Sequence, residues 1–183
     1  MSWSENTISK DYFDKKIAEA KVILKDNPTR MDRAIDNPQQ VIKDLYEKSF
    51  QSGVVAEVLN ELGVRISEAY ELISNYQKYY KDGSIEGLVG KGNHIYLAKN
   101  ISTALLNKIQ KVEKLQEQNT FRNHLKSVSN GEHKAHDFRF TFANKLFNEK
   151  LAAGVEYKTA MLEVSKELNH SRAEMTNYYL SRA

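Results

Sequence analysis

The sequence has no cysteine among its 183 residues, and it has only two prolines and one tryptophan. Without cysteine the chain forms neither disulfides nor thiolate metal sites, which fits a reducing cytoplasm. No apolar run approaches the roughly 20 residues of a membrane span, and the start, Met-Ser-Trp-Ser-Glu-Asn, lacks the basic end and apolar core of a secretion signal. We therefore expect a soluble, cytoplasmic protein.

An excess of charge of one sign is also missing. The sequence has 27 Lys and Arg against 24 Asp and Glu, a net charge of +3, which is too small to diagnose nucleic-acid binding by itself. Basic residues clustered on one face could still bind DNA. A chain of this length with a hydrophobic content of 40% is enough for one compact domain and too short for two comfortable ones, so we expect one core.

What the sequence does contain is helical periodicity. Residues 9–25 carry an apolar stripe that Asn27-Pro28 stops, and we assign residues 1–36 to a helical arm or linker. The pair Asn37-Pro38 caps a second helix that ends near Gly53, and an apolar third helix runs to Gly63, which turns the chain. Further helices are expected at 67–80, where Asp82-Gly83 closes the helix, at 101–118, from Arg139 to Gly154, and up to His170.

One glycine-rich stretch interrupts this pattern. The segment Gly87–Leu97 predicts two short strands around a turn with Lys91 on its tip, although such a lysine alone is more typical of a solvated turn. The stretch Asn119–Lys134 is basic and loop-prone, and it either touches DNA phosphates or is a solvated loop. The predicted class is mainly α with a small antiparallel β-sheet, that is, α+β.

Residues suited to phosphate chemistry gather near the end of the sequence. His136 and Arg139 stand three apart where a helix begins, so their side chains can lie on neighbouring parts of one surface. Arginine matches phosphate oxygens with a planar fork, and histidine exchanges a proton near neutral pH. Each of them considered alone is more often a surface residue. Capping-box spacing of Ser171 and Glu174 predicts a final helix that carries paired tyrosines.

The order His136-x-x-Arg139, Leu168-x-His170 and then Tyr179 resembles the C-terminal signature of the tyrosine recombinases, the phage-integrase family. The family implies two further residues upstream, an arginine in a Gly-x-Arg-Ile-Ser-Glu segment and a lysine in a hairpin turn. Both are present in the expected order, as Arg65 within Gly63–Glu68 and Lys91 within Gly90–Asn93. The resemblance covers about residues 37–183 and implies the tyrosine-recombinase catalytic-domain fold.

The resemblance implies a site-specific DNA recombinase or integrase that cleaves and rejoins double-stranded DNA through a 3′-phosphotyrosyl intermediate, with no cofactor or metal. Tyr179 would be the nucleophile, chosen over Tyr178 because it follows the histidine by nine residues. The other implied roles are charge neutralisation by Arg65 and Arg139, a further donor in His170, protonation of the leaving 5′-oxygen by Lys91, and phosphate positioning or proton acceptance by His136.

Several features depart from the family. Residues 1–36 are shorter than the DNA-clamping domain that usually precedes the catalytic domain, and only four residues follow Tyr179 where members commonly extend a segment that docks on a neighbouring protomer. The chain is therefore expected to be either a catalytic fragment or a minimal recombinase. It is expected to be oligomeric on DNA and weakly associated or monomeric without it. Phe140 stands where a basic residue is common, and Asn169 replaces a usual glycine. Two alternatives stay open, a catalytically inactive DNA-binding or regulatory module and a topoisomerase-like relaxing activity.

Overall fold

The computed structural model describes residues 33–169 and 174–180. Three short strands in these ranges, β1 (Tyr80–Lys81), β2 (Ser84–Ile85) and β3 (Lys99–Asn100), form an antiparallel sheet in that order. The helices are α1 (Pro38–Lys48), α2 (Phe50–Leu62), α3 (Ile66–Ser74), α4 (Tyr76–Tyr79), α5 (Thr103–Ile109), α6 (Gln118–Val128), α7 (Asp137–Ala152), α8 (Tyr157–Glu167) and α9 (Glu174–Leu180). The predicted class, mainly helical with a small antiparallel sheet, is confirmed.

Helix α1 begins as the sequence predicts. The Asn37 side chain accepts a hydrogen bond from the Gln40 amide at 3.1 Å, and a proline occupies the first turn. The expected end of this helix at Gly53 is wrong, because α1 ends at Lys48 and Gly53 lies inside α2. A side chain on Gly53 would meet the ring of Tyr46 at 2.2 Å, so the glycine serves close packing of the two helices.

Helix α2 ends at Gly63, whose φ of 62° lies in the left-handed region. The Gly63 amide donates to the Leu59 carbonyl at 3.1 Å, and a Cβ here would overlap the Phe142 ring. The helix end is thus fixed by a residue with no side chain. Two residues later Arg65 caps α3, so this turn sets where Arg65 enters the fold.

The helix expected at 67–80 is wrong in its second half. Helix α3 stops at Ser74, α4 is a single turn, and the chain then enters the sheet. Asp82 and Gly83, with φ values of 45° and 91°, join β1 to β2 as a hairpin turn and do not close a helix. Tyrosines suit strands as well as helices, which explains why the apolar spacing misled the prediction.

The region after the sheet also differs from expectation. The predicted helix at 101–118 ends at Ile109, and α6 takes up most of the stretch that we expected to be a loop. Helix α6 is amphipathic, since Phe121 and Leu125 are buried four residues apart while Arg122 and Lys126 are exposed. Its narrow apolar stripe was hidden among polar residues.

The expectation of one core is wrong, because two hydrophobic cores meet along α7. The larger core is formed by α1 to α6 and the sheet, and it includes Phe138. The smaller one lies among α7, α8 and α9 and includes Phe140, Phe147, Val164 and Tyr179. Alternate residues at the start of α7 therefore point into different cores, and the polar residues of this first turn lie where the two cores meet.

The described part of the expected N-terminal arm, residues 33–36, contains no helix and packs on α7. The Arg33 guanidinium binds the buried Asp137 carboxylate at 3.0 Å, and the Ile35 amide donates to the Thr141 hydroxyl at 2.8 Å. Residues 1–32 lie outside the described residues, so the proposed division at residue 36 stays a prediction. Within residues 33–169 and 174–180, no helix is long and apolar enough to cross a membrane.

Candidate active site

The hydroxyl of Tyr179 lies 2.7 Å from Nε2 of His136, although the two residues are 43 positions apart in the chain. Tyr179 is on α9 and is only 3% exposed, whereas Tyr178 is 37% exposed. Adjacent residues on a helix point about 100° apart, so one of the pair faces the site and the other does not. The structure thus brings Tyr179 to His136.

Phe140 fixes the ring of Tyr179 in this position. The two ring centroids are 4.4 Å apart, and His136 contacts Phe140 edge-on at 5.6 Å. The Cζ atom of Arg33 lies over the Phe140 ring, 4.3 Å from its centroid. Phe140 is therefore a packing surface for the ring of Tyr179.

Arg139 is the largest fully buried side chain in the described residues, at 1% exposure. Its Nη1 donates to the carbonyl of Gly63 and, at 3.1 Å, to the Tyr96 hydroxyl, and its Nη2 donates to the carbonyl of Leu168. Its Nε has no hydrogen-bond partner among the described residues. An arginine carries five N–H donors, so the buried Nε of this guanidinium is a donor that the described residues leave unused.

Arg65 lies on the other side of Tyr96. Its Nη1 donates to Oε1 of Glu68 at 3.0 Å and to the Tyr96 hydroxyl at 3.4 Å, while its backbone amide donates to Oε2 of Glu68 at 2.6 Å. This is a capping box in which an arginine takes the capping position. Arg65 is thus paired with Glu68, and at 26% exposure its side chain is partly buried.

The environment keeps His136 uncharged near neutral pH. Burial, together with the positive charges of Arg139, Arg33 and Arg65, lowers the pKa of His136 to about 4, and the negative charge of Asp137 opposes this shift. A neutral imidazole has one ring nitrogen that accepts a hydrogen bond. With Nε2 as that nitrogen, Tyr179 donates its hydroxyl proton to His136.

Lys91 lies apart from these groups. It is exposed at the tip of a loop closed by a single bridge between Val89 and Ile95, so the predicted hairpin exists in a shorter form than expected. Only its backbone reaches the site, since the Lys91 amide lies 3.3 Å from Oε1 of Glu68. The structure does not bring the Lys91 side chain to the arginines or to Tyr179.

Asn169 connects the same loop to the end of α8. Its φ of 51° is left-handed, which asparagine tolerates better than most residues. Its side-chain amide donates to the His94 carbonyl at 2.9 Å. The next candidate residue, His170, lies outside the described residues, and its role stays a prediction.

A cavity of about 640 Å³ opens beside Arg65 and His136. Its floor includes Ile66 and Leu125, and its rim is basic. The basic rim residues are Arg122, Lys126, His133 and Lys134. A basic rim next to two arginines suits a polyanion, because such positions gain from contact with successive phosphates.

Three residues of the site were not predicted from the sequence. Glu68 was part of the Arg65 segment but was given no role, and its spacing of three from Arg65 was the available signal. Tyr96 and Lys99 had no local signal. Lys99 is 5% exposed and pairs with Glu167 at 3.0 Å, which joins β3 to the last turn of α8 just before the Leu168 carbonyl. Burial lowers the pKa of Lys99, and Glu167 opposes that effect.

Compared with known proteins, the chain matches no protein-family model and no curated protein sequence. In the described residues no group of three or more His, Cys, Asp or Glu side chains is arranged to hold a metal ion. The candidate site therefore has to be interpreted from its own geometry.

Proposed function

We propose that this chain is a tyrosine-type DNA recombinase domain, with the fold of that catalytic domain, that cleaves and rejoins DNA through a 3′-phosphotyrosyl intermediate. The observation that carries the proposal is the contact of Tyr179 with His136 at 2.7 Å, one helical turn from the buried Arg139. This site combines a tyrosine hydroxyl with a histidine and arginines. Such groups can supply the nucleophile, the proton acceptor and the positive charge for attack on a phosphodiester. The nucleophile comes from the same chain as the arginines.

The arginines supply the electrostatic part of the proposed reaction. Attack on phosphorus places negative charge on the non-bridging oxygens, and the unpaired Nε of Arg139 together with the partly exposed Arg65 would neutralise it. Arg139 lies with its Cζ 5.8 Å from the centre of the Tyr179 ring. A phosphate seated against both arginines would therefore lie next to the tyrosine.

His136 orients the nucleophile and accepts its proton as the new bond forms. A phenol has an ordinary pKa of about 10, and the pKa of His136 is about 4, so complete proton transfer before attack is unfavourable. Partial transfer during attack avoids that cost, because the growing P–O bond consumes the charge on the phenol oxygen. The P–O5′ bond breaks in the same step, and Lys91 gives a proton to the departing 5′-oxygen.

Covalent trapping on nicked duplexes tests this proposal. A nick placed just beyond the scissile phosphate lets the cleaved fragment diffuse away, so the protein–DNA adduct accumulates and is seen by denaturing gel electrophoresis. Tyr179→Phe should abolish the adduct and retain DNA binding, whereas the matched neighbour Tyr178→Phe should retain both. Peptide mapping of the phosphotyrosyl bond to Tyr178 would overturn the assignment of the nucleophile.

The second candidate, an inactive DNA-binding or regulatory module of the same fold, is favoured by one observation. Arg139 and Tyr179 are 1% and 3% exposed, and three donor bonds of Arg139 go to protein oxygens. The absence of an adduct with every cognate DNA would favour this candidate. Given an adduct, strand exchange between two sites separates a recombinase from a topoisomerase-like enzyme, which would only relax supercoils.

A further inference from the structure

Tyr96 is the residue on which three charged side chains of the site converge. Its hydroxyl lies 2.7 Å from Oε2 of Glu68, 3.1 Å from Nη1 of Arg139 and 3.4 Å from Nη1 of Arg65. These partners come from α3, α7 and the residue that precedes α3. Tyr96 itself is 4% exposed, and its amide donates to the Leu88 carbonyl at 2.9 Å, which holds the backbone beside the Lys91 loop.

The donors and acceptors available at the Tyr96 hydroxyl allow one arrangement of these hydrogen bonds. A guanidinium only donates hydrogen bonds, so the Tyr96 oxygen accepts from both Arg65 and Arg139. Its single proton then goes to the Glu68 carboxylate. This requires a neutral phenol and an ionised carboxyl, and both hold. Burial raises the pKa of Tyr96 to about 12, although the charge of Arg139 opposes this shift. Burial alone would also raise the pKa of Glu68, but the hydrogen bonds that Tyr96 and Arg65 donate to it hold that pKa below its usual value.

We propose that Tyr96 is a positioning residue whose hydroxyl fixes Arg65 relative to Arg139, so that both guanidinium groups meet one phosphate. The inference rests on the proposed function and adds to it a residue that does not touch the reacting atoms. Arg139 keeps two backbone carbonyls without Tyr96, but Arg65 keeps only Glu68 among its described side-chain partners. Loss of the hydroxyl should therefore loosen Arg65 more than Arg139.

The test uses Tyr96→Phe, which removes the hydroxyl and leaves the ring in the core. Its matched control is Tyr79→Phe. Tyr79 is also 4% exposed, and its hydroxyl also joins a carboxylate and a cation, donating to Glu71 at 2.7 Å and accepting from Lys78 at 3.0 Å. A merely structural role predicts that the two variants lose similar stability and have the same activity.

Three measurements on the full chain are compared between the variants and the unchanged protein. They are the single-turnover rate of adduct formation on a saturating nicked duplex, the dissociation constant of that duplex, and the ¹⁵N NMR signals of the arginine side chains without DNA. For Tyr96→Phe we expect a rate roughly 10- to 100-fold lower, because small misplacements of a catalytic group have costs of this size. We expect a dissociation constant within about twofold of the original and faster rotation of the Arg65 guanidinium. Tyr79→Phe should change none of the three.

Each contrary result has a defined meaning. An unchanged rate for Tyr96→Phe, a loss that Tyr79→Phe reproduces, or a loss confined to the dissociation constant would overturn the positioning role while the proposed function stands. Absence of an adduct with the unchanged protein would instead overturn the proposed function. In that case the NMR signals decide about Tyr96, since unaltered Arg65 rotation in Tyr96→Phe would contradict the positioning role without any reaction.

Discussion

The candidate site has two sides that are built differently. On one side Arg139, His136 and Tyr179 are held by buried hydrogen bonds and ring contacts. On the other side Lys91 is exposed on a loop, with only its backbone amide near the site. The first side is organised by the fold alone, whereas the second needs a ligand to bring its side chain in. Substitutions should therefore affect folding on the first side and reaction rate alone on the second.

The largest effect is expected for Lys91→Ala on cleavage. Loss of a general acid should slow adduct formation by roughly 10²- to 10⁴-fold, while DNA binding stays nearly intact. Single-turnover cleavage of a nicked duplex measures this rate, and Lys111→Ala, which changes another exposed lysine, is the control. A substrate with sulfur at the bridging 5′ position needs little protonation of its leaving group and should restore the variant. If this substrate does not restore cleavage by the variant, Lys91 is not the general acid.

The second effect compares the two sides by stability. Arg139→Met leaves the Gly63 and Leu168 carbonyls and the Tyr96 hydroxyl without their donor, which should lower the free energy of unfolding by about 3 kcal/mol. Lys91→Met should change it by less than about 0.5 kcal/mol. Urea unfolding at neutral pH measures both. Equal losses would show that the contrast between the two sides is not real.

A third prediction follows from the depressed pKa of His136. The unfolded chain binds a proton at His136 below its ordinary pKa of about 6.5, but the folded chain binds it only below about 4. Stability is therefore full above pH 6.5 and falls as the pH drops toward 4. Between pH 7.5 and 5, the unchanged protein should lose about 1–2 kcal/mol more than His136→Gln does. His94→Gln, at an exposed histidine, should behave like the unchanged protein, and an identical loss in all three would contradict the prediction.

The smallest effect concerns the basic rim of the cavity. If DNA binding covers about five phosphates, the logarithm of affinity should fall against the logarithm of salt concentration with a slope near −4 or −5. Arg122→Ala should make this slope less steep by about 1, whereas Lys145→Ala, an exposed lysine on α7, should leave it unchanged. Titrations at several salt concentrations measure the slopes. An affinity that does not change with salt concentration would contradict DNA as the ligand.

Local signals in the sequence predicted local structure well. Asn37 with Pro38, and Gly63, mark helix ends because caps and left-handed turns depend on a few adjacent residues. The order of the motif residues also predicted a group that the fold does bring together, namely Arg65, His136, Arg139 and Tyr179. Whether these residues are catalytic stays a prediction.

Contacts between distant residues could not be predicted in the same way. Tyr96 is 28 positions from Glu68 and 43 from Arg139, and no periodicity within its own segment indicates either contact. Lys99 and Glu167, 68 positions apart, are a similar case. Lys91 had the clearest local motif, yet among the described candidate residues its side chain lies outside the group. A glycine-rich turn specifies a backbone shape and not a side-chain partner.

The spacing of Arg65 and Arg139 depends on the backbone conformation of one residue, Gly63. Its left-handed φ directs the chain toward Arg65, and its carbonyl oxygen accepts a hydrogen bond from Arg139. A larger residue would collide with Phe142 and rotate that carbonyl away. The distance between these two like charges, which repel each other, thus depends on a backbone torsion as well as on the Tyr96 hydroxyl that both arginines contact. Variation that preserves both arginines would still alter their separation if it changed this one glycine.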